Sequence, residues 1–352
     1  MCQVAFYAMR IIFFAFMLIY SDCESRASAN QKVQSELSAH FAKYDANSRQ
    51  TLNFKNLDAL LNKYVWKTGR SNRKYAFRPW VRIERIIRGN PYPTRLEANR
   101  LFYHILTSHD IAVITALLDY FQKLPNTVAL STLNRKEQLA YWVNLHNLAI
   151  ISLVAQNYPV VKVGQLYAEN ADRKFLRVEQ FDLSLNDIRY RILAPLWHDP
   201  LIVYGLYYGA VGGPNIRTKA FYGATVYKQL EENAREFVNS LRGVRFRRDT
   251  LLISQFFLWN EPFFNGAETG IRKHLERFAE GEVAERMIQY NKVEYAKFDW
   301  FIADLFNGRH PKPLGSGIVP PLVAELLQNV QDRNRLREAT VEIEEYVTDT
   351  EQ

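Results

Sequence analysis

The segment "LIVYGLYYGAVGGPNIRTKAF" at residues 201–221 constrains the fold most, because its first eight residues are almost entirely non-polar. An extended chain with non-polar residues on both faces must be covered on both sides, so this pattern predicts a central strand. The strand would run into a glycine-rich turn that begins at Gly209 and contains no Cys, His, Ser, Asp or Glu. Loops of this kind often carry catalytic residues, but this one contains almost no reactive side chain.

The first 29 residues are predicted to be a signal peptide. Arg10 precedes a non-polar run from Ile11 to Tyr20, and Ala27-Ser28-Ala29 has the small residues of a cleavage site. The run is shorter than the roughly twenty residues of a membrane-spanning helix, although an uncleaved anchor is the alternative. We expect an exported protein, periplasmic or extracellular, whose mature chain has no spanning segment.

Export would also change the chemistry of the chain. Both cysteines, Cys2 and Cys23, lie in the predicted signal peptide. The mature chain would then form no disulfide and no thiolate zinc site, and it would have no cysteine nucleophile. The sequence also lacks the common metalloprotease, serine-hydrolase and phosphate-loop motifs, so we expect neither a metal nor a cofactor.

The composition predicts a folded protein with a basic surface. Of 352 residues, 48% are hydrophobic and 14% aromatic, which is enough for a sizeable core. The net charge of +8 favours an anionic ligand or a cell-envelope component as partner, and nucleic acid is not expected. The basic segment at residues 67–95 contains candidates for an anion-binding patch, with a solvated helix face as the alternative. These candidates are Arg78, Arg82, Arg85 and Arg88.

The order of elements predicts an α+β fold that is rich in helix, with a small and mostly antiparallel sheet. We expect a main domain at residues 30–310, with a helical N-terminal part at 30–110. A Pro/Gly linker at 311–321 and a C-terminal helix at 322–352 follow. Within the domain, Ser184 should cap a helix that stops at Pro195, and a later helix should end at Gly243. The residues after Gly243 suggest two short strands or a hairpin.

The predicted helix "NRKEQLAYWVNLHNLAIISLVAQNYP" places Glu137, Asn144 and Asn147 on one side. A buried amide must find hydrogen-bond partners or cost about 1–3 kcal/mol, so two Asn on a non-polar helix are informative. They either hold the backbone of a neighbouring segment or line a ligand site. In the second interpretation Asn215 and Arg217, from the glycine-rich loop, are further ligand-binding candidates.

Several segments together resemble the DUF547 family, a family of unknown function. The most specific is "YWVNLHNLAI", which is similar to that family's Phe-Trp-Ile-Asn-Leu-Tyr-Asn signature, and the likeness extends over roughly residues 35–305. The resemblance implies a distant relationship to papain-like or transglutaminase-like cysteine hydrolases. That relationship rests on the family's usual Asp-Pro-Arg-Ile-His strand, its Ser-Cys-Pro loop and a Glu-His pair in the preceding helix.

The reactive residues that the resemblance implies are absent from this chain. The family's arginine and histidine fall on Leu201 and Val203, its Ser-Cys pair on Gly212 and Gly213, and its Glu-His pair on Arg189 and Tyr190. By contrast, the family's residues are retained at Asn144, Asn147, Pro214 and Trp300.

These losses make a catalytically degenerate family member that binds a ligand or partner the leading hypothesis. One alternative is a hydrolase of amide or ester bonds that uses Ser254, or a water activated by Glu137, in place of cysteine. The other is a purely structural or interaction protein, in which Tyr204, Tyr207 and Tyr208 fill the former cleft.

Overall fold

The computed structural model describes residues 36–76, 90–264, 268–310 and 323–332, and within them the protein has the predicted α+β fold. Residues 36–41 and 323–332 are helical. The named α-helices are α1 (Lys55–Tyr64), α2 (Ser108–Thr127), α3 (Arg135–Gln156), α4 (Gly164–Asn170), α5 (Ala194–Trp197), α6 (Val226–Val238), α7 (Gln255–Trp259), α8 (Glu268–Phe278) and α9 (Gly281–Met287). A π-helical segment spans Asp187–Leu193, and short 3-10 helices span Tyr103–Ile105, Leu130–Thr132, Pro200–Gly205 and Glu261–Phe263.

The described strands form three small sheets. Two are antiparallel pairs, and the third is a hairpin with one strand added in parallel. The strands are β1 (Val65–Trp66) with β2 (Arg100–Leu101), β3 (Leu176–Val178) with β4 (Phe181–Leu183), and β5 (Val244–Arg247) with β6 (Thr250–Ser254) and β7 (Lys292–Ala296). The hairpin predicted after Gly243 is therefore present, with Val244 opposite Ile253.

Helix α3 lies at the centre of the core. Asn134 caps it by accepting hydrogen bonds from the backbone N–H groups of Lys136 and Glu137, and every residue from 137 to 155 is buried. A helix with buried residues on all sides must be surrounded by other elements. The remaining elements are accordingly packed around α3.

Helix α2 covers one side of α3 and is amphipathic. Thr107 and Asp110 form a capping box at its first turn, which satisfies free backbone donors there. Its buried face includes Ile114 and Phe121, and the Tyr141 hydroxyl of α3 donates to the Phe121 carbonyl at 3.1 Å. The opposite face exposes Val113 and Tyr120.

The predicted central strand at residues 201–208 is wrong, because the chain forms the 3-10 helix Pro200–Gly205 and residues 206–208 belong to no strand. Asp199 starts this helix by accepting a hydrogen bond from the Leu201 N–H, and Pro200 supplies a suitable backbone angle at the first position. Residues 201–208 are all buried. A short run that is non-polar on every side has the same pattern in a buried helix as in a buried strand, so periodicity could not separate them.

Two predicted helix ends also differ. The Ser184 cap is present, since Ser184 and Asp187 exchange side-chain and backbone hydrogen bonds, but Pro195 does not stop the helix. The π-helical segment passes directly into α5, and Pro195 lies in the first turn of α5, where a missing N–H is tolerated. Helix α6 ends at Val238 rather than at Gly243.

The glycine-rich loop runs antiparallel to residues 299–303 at very short range. The backbone N–H groups of Val211 and Gly212 donate to the carbonyls of Phe301 and Asp299, each at 2.8 Å. A Cβ at Gly212 would lie 2.6 Å from the Asp299 nitrogen, which no side chain could occupy without moving the backbone. Glycine at this position thus permits the close approach of two backbones.

No helix in the described part of the chain is long and non-polar enough to cross a membrane. Of the predicted C-terminal helix, residues 323–332 are described, and Glu325 there forms an ion pair with Arg95 at 3.0 Å. The linker at 311–321 and the signal peptide lie outside the described residues.

Replacing Gly212 with Ala is expected to destabilise the protein by about 1–3 kcal/mol, because the added methyl group must push apart two hydrogen-bonded backbones. Urea unfolding followed by circular dichroism measures this loss. Gly213→Ala is the matched control, since a Cβ there would meet Tyr208 at an ordinary 3.4 Å. Equal losses in the two variants would contradict this account of the loop.

Candidate functional site

Asn144 and Asn147 hold the two ends of the segment that contains the glycine-rich loop. Asn144 donates to the Phe221 carbonyl at 2.8 Å and accepts from the Phe221 N–H at 2.9 Å. Asn147 donates to the Gly205 carbonyl at 2.7 Å and accepts from the Tyr207 N–H at 2.8 Å. We call these contacts the amide clamps. They match the first of the two interpretations of these residues, in which the amides bind neighbouring backbone.

Glu137 lies two turns before Asn144 on α3 and is also buried. Its Oε2 accepts a hydrogen bond from the Leu52 N–H at 3.2 Å, and burial raises the pKa of its carboxyl group. The Gly223 backbone packs directly against the carboxyl group, since a Cβ at Gly223 would lie 2.3 Å from Oε1. The carboxylate is therefore enclosed by protein backbone.

Asn215 and Arg217 lie with α6 and not with Glu137 and the amide clamps. The Asn215 Oδ1 accepts from the Asn99 N–H at 2.8 Å and from the buried Arg242 at 3.3 Å. Arg217 donates to Asn233 at 3.0 Å and forms an ion pair with Glu232 at 2.7 Å. The five predicted ligand-binding residues thus form two groups that each stabilise backbone segments.

Most positions that correspond to the family's reactive groups are buried, whereas Tyr190 is half-buried. The buried positions are Leu201, Val203, Gly212, Gly213 and Arg189. Three neighbouring tyrosines are at most 2% exposed, and they occupy the interior beside the loop: Tyr204, Tyr207 and Tyr208. Ser254 is also buried, and its hydroxyl caps α7 by accepting from the Phe256 N–H at 3.2 Å.

A group of polar side chains that the sequence analysis did not assemble lies next to these tyrosines. Arg189 is 2% exposed and donates to the hydroxyls of Tyr167 and Tyr208 and, at 2.9 Å, to Asn260. We call Arg189 and these three partners the Arg189 cluster. One signal could have drawn attention to it, since Arg189 falls among non-polar residues at helical spacing, Leu185 and Ile192.

His146 of α3 is close enough to Arg189 to feel its positive charge. Complete burial, together with that charge, lowers the pKa of His146 to about 3. The Nδ1 of His146 lies 3.2 Å from the Asn147 Oδ1, whereas Nε2 has no hydrogen-bond partner in the described structure. His146 is therefore neutral at physiological pH.

An open cleft of about 580 Å³ lies between α1 and α2, away from the loop. Leu60 and Leu117 form its buried floor, and Val113 and Tyr120 are exposed at its rim. The polar end has Lys63, His109 and Asp110. Hydrogen bonds from Thr107 and Tyr64 hold the pKa of Asp110 far below its usual value, so this carboxylate is a weak base.

The remaining expectations concern metals and the anion-binding patch. The described residues contain no group of His, Cys, Asp and Glu side chains that could hold a metal ion. The candidate patch of Arg78, Arg82, Arg85 and Arg88 lies outside the described residues.

Replacing Asn147 with Ala is expected to lower the free energy of unfolding by at least about 1–3 kcal/mol, because it leaves buried backbone groups of Gly205 and Tyr207 without a partner. Chemical denaturation measures the change. Asn126→Ala, at an exposed position of α2, should have almost no effect. A stable Asn147→Ala protein would show that the clamp is not needed for folding.

The burial of His146 predicts a loss of stability in acid. Its pKa is about 3 in the folded protein and 6.5 in the unfolded chain, so the unfolded state binds the proton first as pH falls. Between about pH 6 and 4, this difference in pKa lowers the free energy of unfolding by up to about 1.4 kcal/mol for each unit by which the pH falls. The free energy of unfolding, measured at several pH values, should depend less steeply on pH in His146→Gln than in the control variant His109→Gln, which changes an exposed residue. Identical slopes would contradict the prediction.

Comparison with known proteins bears on the same part of the chain. The model of a family described as "Protein of unknown function, DUF547" matches residues 130–238, which include both amide clamps, the glycine-rich loop and Arg189. No curated protein and no solved structure matches the chain. The match supports the assignment of residues 130–238 to the DUF547 family, in agreement with the resemblance seen in the sequence.

Proposed function

We propose that this protein is a catalytically degenerate member of the DUF547 family that acts, after export, by binding a ligand or partner. The observation that carries the proposal is the state of the glycine-rich loop. The backbone of the loop is hydrogen-bonded to residues 299–303. Where the family resemblance implies a His, a Cys and a Glu, this chain has Val203, Gly213 and Arg189. None of these is a nucleophile or an effective base at physiological pH.

The contacts of the two candidate groups argue against the hydrolase alternative. Ser254 is 3% exposed and its hydroxyl is used as a helix cap. Glu137 is 4% exposed and its carboxylate accepts from a backbone N–H. A hydrolase needs a nucleophile and a base that reach the same open space, and each of these groups is enclosed separately.

The cleft between α1 and α2 supports a binding function. Its floor is non-polar, and its volume is within the usual range for small-molecule sites. Its one carboxylate, Asp110, is already bonded to Thr107 and Tyr64. A non-polar group of a ligand or partner would fit against Leu60 and Leu117, and no catalytic pair is needed there.

Export is supported by the sequence of residues 1–29 alone, through its single arginine before a short non-polar run and its small-residue cleavage site. The net charge of +8 favours anionic partners such as cell-envelope components. In an exported chain, intact mass should give a mature protein that begins at Asn30.

The proposal predicts binding without catalysis. The protein should not react stoichiometrically with a fluorophosphonate probe, and its hydrolysis of p-nitrophenyl acetate should equal that of Ser254→Ala. In the cleft, a neutral aromatic probe, 2-naphthol, should bind to the native protein and at least about tenfold more weakly to Val113→Lys, because the new charge would have to be desolvated beside the probe. Nuclear magnetic resonance titration measures both affinities.

The controls separate binding from unfolding. Val113 is 45% exposed, so Val113→Lys should keep native stability to within about 0.5 kcal/mol. Ser131→Ala, at an exposed serine, is the control for the labelling experiment. Covalent labelling that Ser254→Ala abolishes and Ser131→Ala does not would establish the hydrolase alternative instead.

A further inference from the structure

Arg189 is a buried positive charge whose hydrogen-bond acceptors are all uncharged. Two of the acceptors are the hydroxyl oxygens of Tyr167 and Tyr208, and the third is the amide oxygen of Asn260. Its Nε is buried without any hydrogen-bond partner in the described structure. No ion pair among the described residues includes Arg189.

Arg242 is another buried arginine, and its charge is compensated by carboxylates. Arg242 is fully buried at its side chain, and it pairs with Glu236 at 2.5 Å and lies 3.5 Å from Glu97. Burying a guanidinium is costly unless an anion is close to it. Arg189 has instead the ring faces of Tyr190 and Tyr208, each centred 4.8 Å away, which attract a cation more weakly than a carboxylate does.

The nearby titratable groups cannot provide the missing negative charge. His146 is neutral, and its Nε2 has no partner in the described structure. Burial raises the pKa of the Tyr208 hydroxyl well above its ordinary value, so Tyr208 is protonated at physiological pH. Among the described residues, the charge of Arg189 therefore has no anionic partner.

Tyr167 is the member of the Arg189 cluster that is partly exposed as a residue. Tyr167 is half-buried, whereas Arg189 and Tyr208 are buried. The Tyr167 oxygen accepts from Arg189, and its own hydroxyl hydrogen has no acceptor in the described part of the chain. A bound anion could therefore accept one hydrogen bond from Tyr167 and be attracted by the guanidinium behind it.

The surface beside Tyr167 is aromatic. The half-buried rings of Trp259 and Trp300 are stacked with centroids 5.3 Å apart, and Tyr167 lies 5.7 Å from Trp300. Partly exposed aromatic rings next to a buried charge suit a ligand that combines a non-polar part with an anionic group.

We propose that Arg189 and the hydroxyl of Tyr167 bind the anionic group of a ligand, a carboxylate or an oxyanion, whose non-polar part contacts Trp259 and Trp300. This site is separate from the cleft between α1 and α2. The inference extends the proposed binding function and does not require a ligand in that cleft.

Benzoate is the first probe, with benzyl alcohol as its neutral counterpart. Tryptophan fluorescence should change saturably with benzoate, because Trp259 and Trp300 lie at the site, and benzyl alcohol should bind at least about tenfold more weakly. Thermal unfolding in sodium acetate and in sodium phosphate should show a saturable rise in Tm, and the relative response to the two salts identifies the preferred class of anion. Absence of saturable benzoate, acetate and phosphate effects would overturn the proposal.

Three variants test which residues are responsible for the binding of benzoate. Arg189→Met should abolish the saturable response. Tyr167→Phe keeps the ring and the arginine but should weaken benzoate about tenfold through loss of one hydrogen bond, and this variant serves if Arg189→Met does not fold. Arg191→Met removes a charge from the same helical segment, where Arg191 is paired with Asp187, and should leave the benzoate affinity unchanged.

The outcomes separate this site from the proposed cleft. Native benzoate affinity in Tyr167→Phe, or equal losses in Arg189→Met and Arg191→Met, would contradict the Arg189 site. Val113→Lys should keep the native benzoate affinity, so a change in that affinity in either direction would show that the anion binds in the cleft. Failure of 2-naphthol to bind while benzoate binds normally would contradict the cleft and leave the Arg189 site supported.

Discussion

The amide clamps are the interaction on which the rest of this structure depends. Helix α3 is surrounded by other elements, and its two asparagines each form two hydrogen bonds to the backbone of the segment from Gly205 to Phe221. Backbone groups buried beside a non-polar helix have no access to water, so they need such partners. The clamps determine where this segment begins and ends against the core, and its path between them is then completed by contact with residues 299–303.

The glycine-rich loop has a geometry that does not depend on reactive side chains. Gly212 lets the backbone approach Asp299 so closely that no side chain fits between them, and the contacts that hold the loop are made largely by backbone atoms. Because they do not depend on a cysteine or a histidine, replacing such residues need not unfold the loop. This independence is the physical basis for proposing degeneracy in place of a different catalytic mechanism.

The two places proposed for binding differ in physical character. The cleft between α1 and α2 has an open, non-polar floor, and its carboxylate is already used to cap a helix. The Arg189 cluster is closed and polar, with a charge that the described residues leave uncompensated. A ligand would gain mainly from hydrophobic contact in the first and from electrostatic attraction in the second. The two sites can therefore be distinguished by the charge of the probe.

The sequence by itself determined the α+β class from the order of its elements, and it located the helix α3 and the hairpin of β5 and β6 from local patterns. It left open the role of Asn144 and Asn147, because a buried amide can bond equally well to backbone or to a ligand. Tertiary structure alone decided that role, and it also decided that residues 200–205 form a 3-10 helix and that Pro195 lies inside a helical run. It also brought Arg189 together with Tyr167, Tyr208 and Asn260 from separate segments. Local sequence carries periodicity and capping signals, whereas the partner of a buried polar group is chosen by long-range packing, which no short segment encodes.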